Sequence, residues 1–184
     1  MMQPLSSARL TVPVHRGDHV IGPPDAPVIL VEYGDYQCPY CAMAHPTVKQ
    51  LLRQMGPDLR YVFRHFPLAT IHPYAQQAAE AAEAAGAQGR FWEMHDLMFR
   101  HQERLDDLPG LAAALNLDVR RFVEDLVNHV HAPKVRQDFM SGVRSGVNGT
   151  PTFFINGVRH DGSYDLASLM EAIEESVGAP PHRG

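Results

Sequence analysis

The chain has two cysteines, and they stand three positions apart as Cys38-Pro39-Tyr40-Cys41. That spacing restricts what the sulfur can do. Closing so short a loop removes little entropy from the unfolded chain, so the pair is not a staple for the fold. A structural zinc site takes four ligands, and there is no second cysteine pair to complete one. His45 follows Cys41 by one helical turn, but no two histidines follow at zinc-finger spacing. The pair reads as redox chemistry. No metal and no organic cofactor is expected, because two sulfurs can hold the electrons themselves.

With 184 residues, 45% hydrophobic and 20% charged, the chain has the length and composition of one globular domain. Its net charge of −5 argues against nucleic acid or an anionic membrane surface as the main partner. No apolar run approaches the ~20 residues of a membrane span. The first 27 residues hold no apolar leader core either, since Leu10–Val14 is short and contains Pro13. A cytoplasmic location is therefore expected, with export followed by removal of a signal as the alternative.

Residues 1–12 read as a loose arm and residues 178–184, with Pro180 and Pro181, as a frayed tail. The turn Gly22–Pro27 delivers the chain into Val28-Ile29-Leu30-Val31, an unalternating β-branched run that suits a strand buried on both faces. A helix over about Pro39 to Met55 and a strand over Leu59 to Phe66 complete a β-α-β unit, so the two strands should be parallel. Later, Thr152–Ile155 and Val158–His160 flank Asn156-Gly157, a strong short-range hairpin signal. A helix over Asp165 to Val177 ends the pattern. Between the two halves, five helical patterns fill a stretch from about residue 71 to 146, with Asp118 as an N-cap. The expectation is a single α/β domain over residues 1–184, with a mixed central sheet and a large helical insertion.

Cys38 falls where a strand-to-helix loop meets the helix, and Pro39 suits the first helical turn. A sulfur there faces unpaired backbone N–H groups and the positive end of the helix dipole, which favour the thiolate. The thiolate is the nucleophile, so Cys38 should be the attacking sulfur and Cys41, one turn on, its disulfide partner.

In this order of elements the chain resembles thioredoxin, with Cys38-Pro39-Tyr40-Cys41 at the active-site position of that fold. Pro46 matches the proline that kinks the superfamily's active-site helix. Gly149-Thr150-Pro151-Thr152-Phe153-Phe154 resembles its cis-proline segment. The helical insertion, with the stretch from Gly22 to Cys41, narrows the resemblance to the DsbA-like thiol–disulfide oxidoreductases, over about residues 15–177. DsbA itself has His where this chain has Tyr40, and glutaredoxins share the Pro-Tyr dipeptide.

The resemblance implies a dithiol–disulfide oxidoreductase that exchanges disulfides with protein thiols and is reset by a redox partner. It implies a buried acid at Glu32, six positions before Cys38, that exchanges a proton with Cys41. It also implies a cis Thr150-Pro151 bond that exposes backbone to an extended substrate segment and keeps metal from the cysteines. The candidate catalytic set is thus Cys38, Cys41 and Glu32, with Pro39, Tyr40, Thr150 and Pro151 contacting substrate. Phe91, Trp92, Met94, Met98 and Phe99 have the spacing of core residues, with a peptide groove as the alternative. Rival readings are a glutathione-linked, glutaredoxin-like reductase and a non-enzymatic zinc- or partner-binding module. A kappa-type glutathione transferase fits less well, since that type usually keeps Ser at the attacking position.

Overall fold

The apolar run at Val28 opens the central strand of a five-stranded sheet in the computed structural model, which describes residues 8–178. This strand, β2 (Val28–Gly34), runs on past Val31 because Glu32 and Tyr33 are buried too. A charge inside an apolar run looks like a strand end in sequence; here it is strand interior. Helix α1 (Pro39–Met55) carries the chain over to β3 (Leu59–His65), which is parallel to β2 with Val28 opposite Leu59 and Gly34 opposite His65. On its other side β2 pairs antiparallel with β4 (Thr152–Ile155), which forms a hairpin with β5 (Val158–His160). Asn156 and Gly157 turn that hairpin with φ of 47° and 81°, the left-handed geometry that selects this dipeptide.

One strand is absent from the sequence reading. β1 (His19–Ile21) pairs antiparallel with β3 at the sheet edge, giving the order β1-β3-β2-β4-β5. Three half-buried residues are too few to show an alternation.

Between β3 and β4 lie α2 (Ala75–Gly86), α3 (Phe91–Arg100), α4 (Leu108–Ala114), α5 (Val119–Val127) and α6 (Ala132–Arg144), and α7 (Leu166–Gly178) follows β5. Asp118 caps α5 by accepting the Arg121 amide at 3.1 Å, and Asp107 caps α4 in the same way. Short helices in water are marginal, and burial against the sheet and one another stabilises these. α2 makes that possible with alanines, five of which (Ala78, Ala81, Ala82, Ala84, Ala85) are almost fully buried in the main core.

Strand alternation sorts the core into two faces. Leu30, Tyr61, Phe63, Phe153 and Ile155 face the larger cluster with α1, most of the insertion and Leu169 and Ile173 of α7. Val31, Tyr33, Val62 and Phe154 face a smaller one with Phe66, Val147, Leu10 and Phe139. Phe91, Met94, Met98 and Phe99 are buried in the larger cluster, with Trp92 packed at its margin. They are core and not groove.

The loose arm expected over residues 1–12 needs correction where it is described. Arg9 forms a β-bridge with Val158, the Leu10 amide donates to the Gly157 carbonyl at 2.9 Å, and Thr11 bonds Ser145. The cause lies in β3: buried Arg64 donates to both carboxylate oxygens of Asp18 and to the carbonyls of Val12 and Pro13, reeling the segment in. The remainder of the expected loose ends, residues 1–7 and 179–184, lies outside the described residues. Among the described residues, no helix is long and apolar enough to cross a membrane.

Candidate active site

Cys38 is the N-cap of α1, with extended backbone (φ −70°, ψ 121°), and Pro39 opens the helix. Both cysteines are free thiols, so this is the dithiol form. The loop that presents them is held from two sides. Asp35, fully buried, accepts the amides of Gln37 (2.8 Å) and Leu68 (2.9 Å), and its Oδ2 lies 2.8 Å from His72 Nδ1. From the insertion, Gln102 donates through Nε2 to the carbonyls of Tyr36 (2.8 Å) and Cys38 (2.9 Å). The insertion thus fastens the redox loop as well as covering the sheet.

The two sulfurs have opposite environments. The Cys38 thiol donates to the Thr150 carbonyl at 3.4 Å, and the Thr150–Pro151 peptide is cis. A hydrogen bond from the Cys41 thiol lowers the Cys38 pKa to about 5, with help from Thr150 and from the Cys41 and Tyr40 amides, against some burial. Burial pushes Cys41 the other way, well above a free thiol, and the charges of Glu32 and Cys38 push it further. At neutral pH one sulfur is a thiolate and the other holds its proton.

Glu32 is 2% exposed, on the sheet face that carries Tyr61, Phe63 and Phe153. Burial raises its carboxyl from 4.5 to about 7; the Tyr61 hydroxyl, donating to Oε2 at 2.6 Å, pulls it back, and the nearby Cys38 thiolate raises it. A carboxyl that titrates near neutrality can give or take a proton in the range where the exchange must run.

Cys38, Cys41, Glu32, Thr150 and Pro151 are therefore drawn together at the C-terminal ends of β2 and the start of α1. Tyr40 is 59% exposed, beside Met43 at 66%, on the surface next to Cys38. His45 is more enclosed than a partly exposed helix histidine: it is 8% exposed and stands 3.2 Å from Asp96. Three participants were not legible as such. Asp35, just after the strand, had a visible Asx-turn signal. Tyr61 shares an inward-facing register with Glu32 once the strands are aligned. Gln102 had no local signal, because its partners lie more than 60 positions away.

Comparison with known proteins identifies the family and the fold. A family model described as Thioredoxin matches residues 15–175. The oxidised BdbD structure from Bacillus subtilis superposes with a TM-score of 0.80 at 23% identity, over 95% of this chain and 98% of that one. Pseudomonas aeruginosa DsbA2 gives a TM-score of 0.74 at 27% identity, over 90% of this chain and 96% of that one. A curated relative from Salinispora arenicola, named Na(+)/H(+) antiporter NhaA 1, is 53% identical over 167 residues, covering 89% of this chain and 26% of that protein. A second, from Mycobacterium, carries the same name at 47% identity over 163 residues, again about a quarter (26%) of its length. The chain spans about a quarter of these curated relatives. Matched along most of its length by the family model and superposing on DsbA-type structures, the chain belongs to the thioredoxin family, in the DsbA-like form of its fold.

Proposed function

We propose that the protein is a dithiol–disulfide oxidoreductase acting on protein thiols through Cys38 and Cys41. The observation that carries this reading is the asymmetry of the pair: Cys38 caps the N-terminus of α1 beside the Thr150 carbonyl, whereas Cys41 is sealed one turn inside, which favours thiolate at the first and thiol at the second. In the oxidising direction, a substrate thiolate attacks Cys38 Sγ, the Cys38–Cys41 bond breaks, and Cys41 leaves. The Cys41 sulfur then takes a proton, and burial that raises the Glu32 carboxyl to about 7 supports Glu32 as its donor. A second substrate thiolate attacks the substrate sulfur of the mixed disulfide and releases Cys38 as its stabilised thiolate. In the reducing direction the same steps run backwards. Thr150, whose carbonyl oxygen lies 3.4 Å from Cys38 Sγ, offers backbone at the site where an extended substrate segment would pair.

The test is to mix the disulfide form with an unstructured peptide carrying two thiols. Peptide oxidation should match enzyme reduction mole for mole and vanish in Cys38→Ser. Exchange at an unchanged rate in Cys38→Ser would remove the reading. Faster turnover of a glutathione–peptide mixed disulfide than of a peptide disulfide would favour the glutaredoxin-like alternative.

The antiporter names of the relatives suggest a setting for this chemistry. We propose a membrane cation/proton antiporter as a companion of the redox domain, supported by the 53% identity to part of such a protein. Trapping with Cys41→Ser in membranes, followed by identification of the disulfide-linked peptides, tests it; absence of antiporter peptides counts against it. The compartment sets direction: a reducing one runs the pair as a reductase, an oxidising one as an oxidant.

A further inference from the structure

Two groups of metal-ligating side chains lie outside the redox pair among the described residues. The first is His65, Glu83 and Asp138. Its carboxylates are engaged by their own hydrogen bonds, although buried His65 Nδ1 has no partner: Glu83 Oε1 lies within 2.8 Å of both His19 Nε2 and His65 Nε2. Both Asp138 oxygens are also occupied, one by the Lys134 ammonium and the other by the His65 amide. A cation there would have to displace all of these.

The second group is built differently. α1 supplies His45, and α3 supplies His95 and Asp96; one ring nitrogen from each histidine and one carboxylate oxygen lie within 4.8 Å of one another. His45 Nε2 is 3.2 Å from Asp96 Oδ1. Lys49 Nζ takes the other oxygen, Oδ2, at 2.7 Å, so a cation bound at Oδ1 would replace the His45 contact alone. The Tyr36 hydroxyl is 2.9 Å from His95 Nδ1, and in the tautomer whose Nδ1–H donates to that hydroxyl, Nε2 carries the lone pair for a ligand. An outer partner of this kind orients imidazoles that bind metals and settles which nitrogen is available.

The surroundings favour a ligand too. His95 is buried, its ring enclosed by Tyr36, Phe63, Phe99 and Trp92. Asp96 and Lys49 are partly exposed, which opens the group to solvent, whereas His45 and His95 form its floor.

We infer that His45, His95 and Asp96 form a binding site for a divalent cation of the zinc class, bridging the redox helix α1 to α3. Two imidazoles and a carboxylate suit zinc, cobalt or nickel, whereas calcium and magnesium take oxygen ligands. Three protein ligands leave a tetrahedral position for water. The site is separate from the two sulfurs, though His45 follows Cys41 by one helical turn. Its parts are fifty positions apart in the chain, so no spacing in the sequence reveals it.

The experiment uses the disulfide form, in which neither thiol can ligate, titrated with zinc and with cobalt. One ion should bind per chain, with cobalt bands in the visible and no sulfur-to-cobalt charge-transfer band in the near ultraviolet. Cobalt should also quench Trp92, the only tryptophan, whose ring centroid lies 5.1 Å from that of His95. His45→Gln and Asp96→Asn should each weaken binding by about tenfold or more. Asp96 is at the rim, so its variant decides the matter if His45→Gln folds poorly by circular dichroism. The inference is overturned by no binding at roughly millimolar zinc. It is equally overturned by binding that both substitutions leave unchanged, or by binding only to the dithiol form, which would place the ion on sulfur.

Discussion

Cys38 and Cys41 are the same side chain one helical turn apart, and their difference comes from what each one touches. Cys38 retains a hydrogen-bonded, helix-end position, while Cys41 is sealed at 0% exposure. In the dithiol form, iodoacetamide at about pH 6, above the Cys38 pKa of about 5, should therefore modify Cys38 first. Predominant modification of Cys41, read by peptide mass, would reverse the assigned roles. Cys41→Ser should accumulate mixed disulfides, since the resolving sulfur is gone, and Cys38→Ser should trap none. Glu32 gives a second test. Its folded pKa is raised from 4.5 to about 7, so the native chain holds that proton more tightly than the unfolded chain. The stability it contributes is thus complete below pH 4.5 and lost as pH rises through about 7, a change of about 3 kcal/mol. Glu32→Gln should abolish that loss, so the variant gains on the parent in urea midpoint as pH rises from about 4.5 to 8. A constant difference across that range would mean that Glu32 is not buried as a neutral acid. The variant should also slow resolution of the mixed disulfide by Cys41, because the proton that the Cys41 thiol must give up to attack has lost its acceptor. Residue type and spacing made Cys38, Cys41 and Pro151 readable in the sequence, since each sits in a local motif. Tyr61 and Gln102 act across strands and across the insertion, where no local pattern records the contact.

At the scale of elements, what could be read was whatever carried its own signal. The Asn156-Gly157 turn, the 3.6-residue rhythm of α7 and the capping Asp118 are local, and they are present as read. β1 and the ordered stretch before it are not local effects, because both depend on β3. Arg64, 1% exposed on β3, is neutralised by Asp18 on the segment that leads into β1. Breaking a buried pair from one side leaves a charge without its partner, at a cost of about 3–5 kcal/mol. Asp18→Ala should therefore lower the denaturant midpoint markedly, and the double variant Asp18→Ala/Arg64→Met should recover much of the loss. Disulfide exchange measured below the midpoint should stay at the parental rate, since neither residue approaches the sulfurs. A double variant no more stable than Asp18→Ala would show that Arg64 matters for its volume and its carbonyl contacts, and not for the pair.

For the whole molecule the governing quantity is the free energy difference between its disulfide and dithiol forms. Whatever stabilises the dithiol form makes the disulfide the stronger oxidant, and the main stabiliser here is the Cys38 thiolate. Its pKa of about 5 lies between those of the attacking cysteines of thioredoxin, about 7, and DsbA, about 3.5. The potential should accordingly fall between about −270 mV and about −120 mV, and the dithiol form should resist urea better than the disulfide form. Equilibration with glutathione buffers, followed by alkylation shift, measures it; a value at or below that of thioredoxin would make the protein a reductant in its own right. The pH dependence tests the cause as well as the value. Between the low pKa of Cys38 and the high one of Cys41, reduction takes up two electrons and one proton, because only Cys41 is protonated in the product. In Glu32→Gln, which removes the carboxyl whose proton is coupled to the Cys38 thiolate, the potential should then fall by about 30 mV per pH unit from roughly pH 6 to 8, half the slope of a two-proton reduction. A slope near 59 mV per unit over that range would mean that both sulfurs are protonated in the dithiol form, and the thiolate would no longer explain the potential.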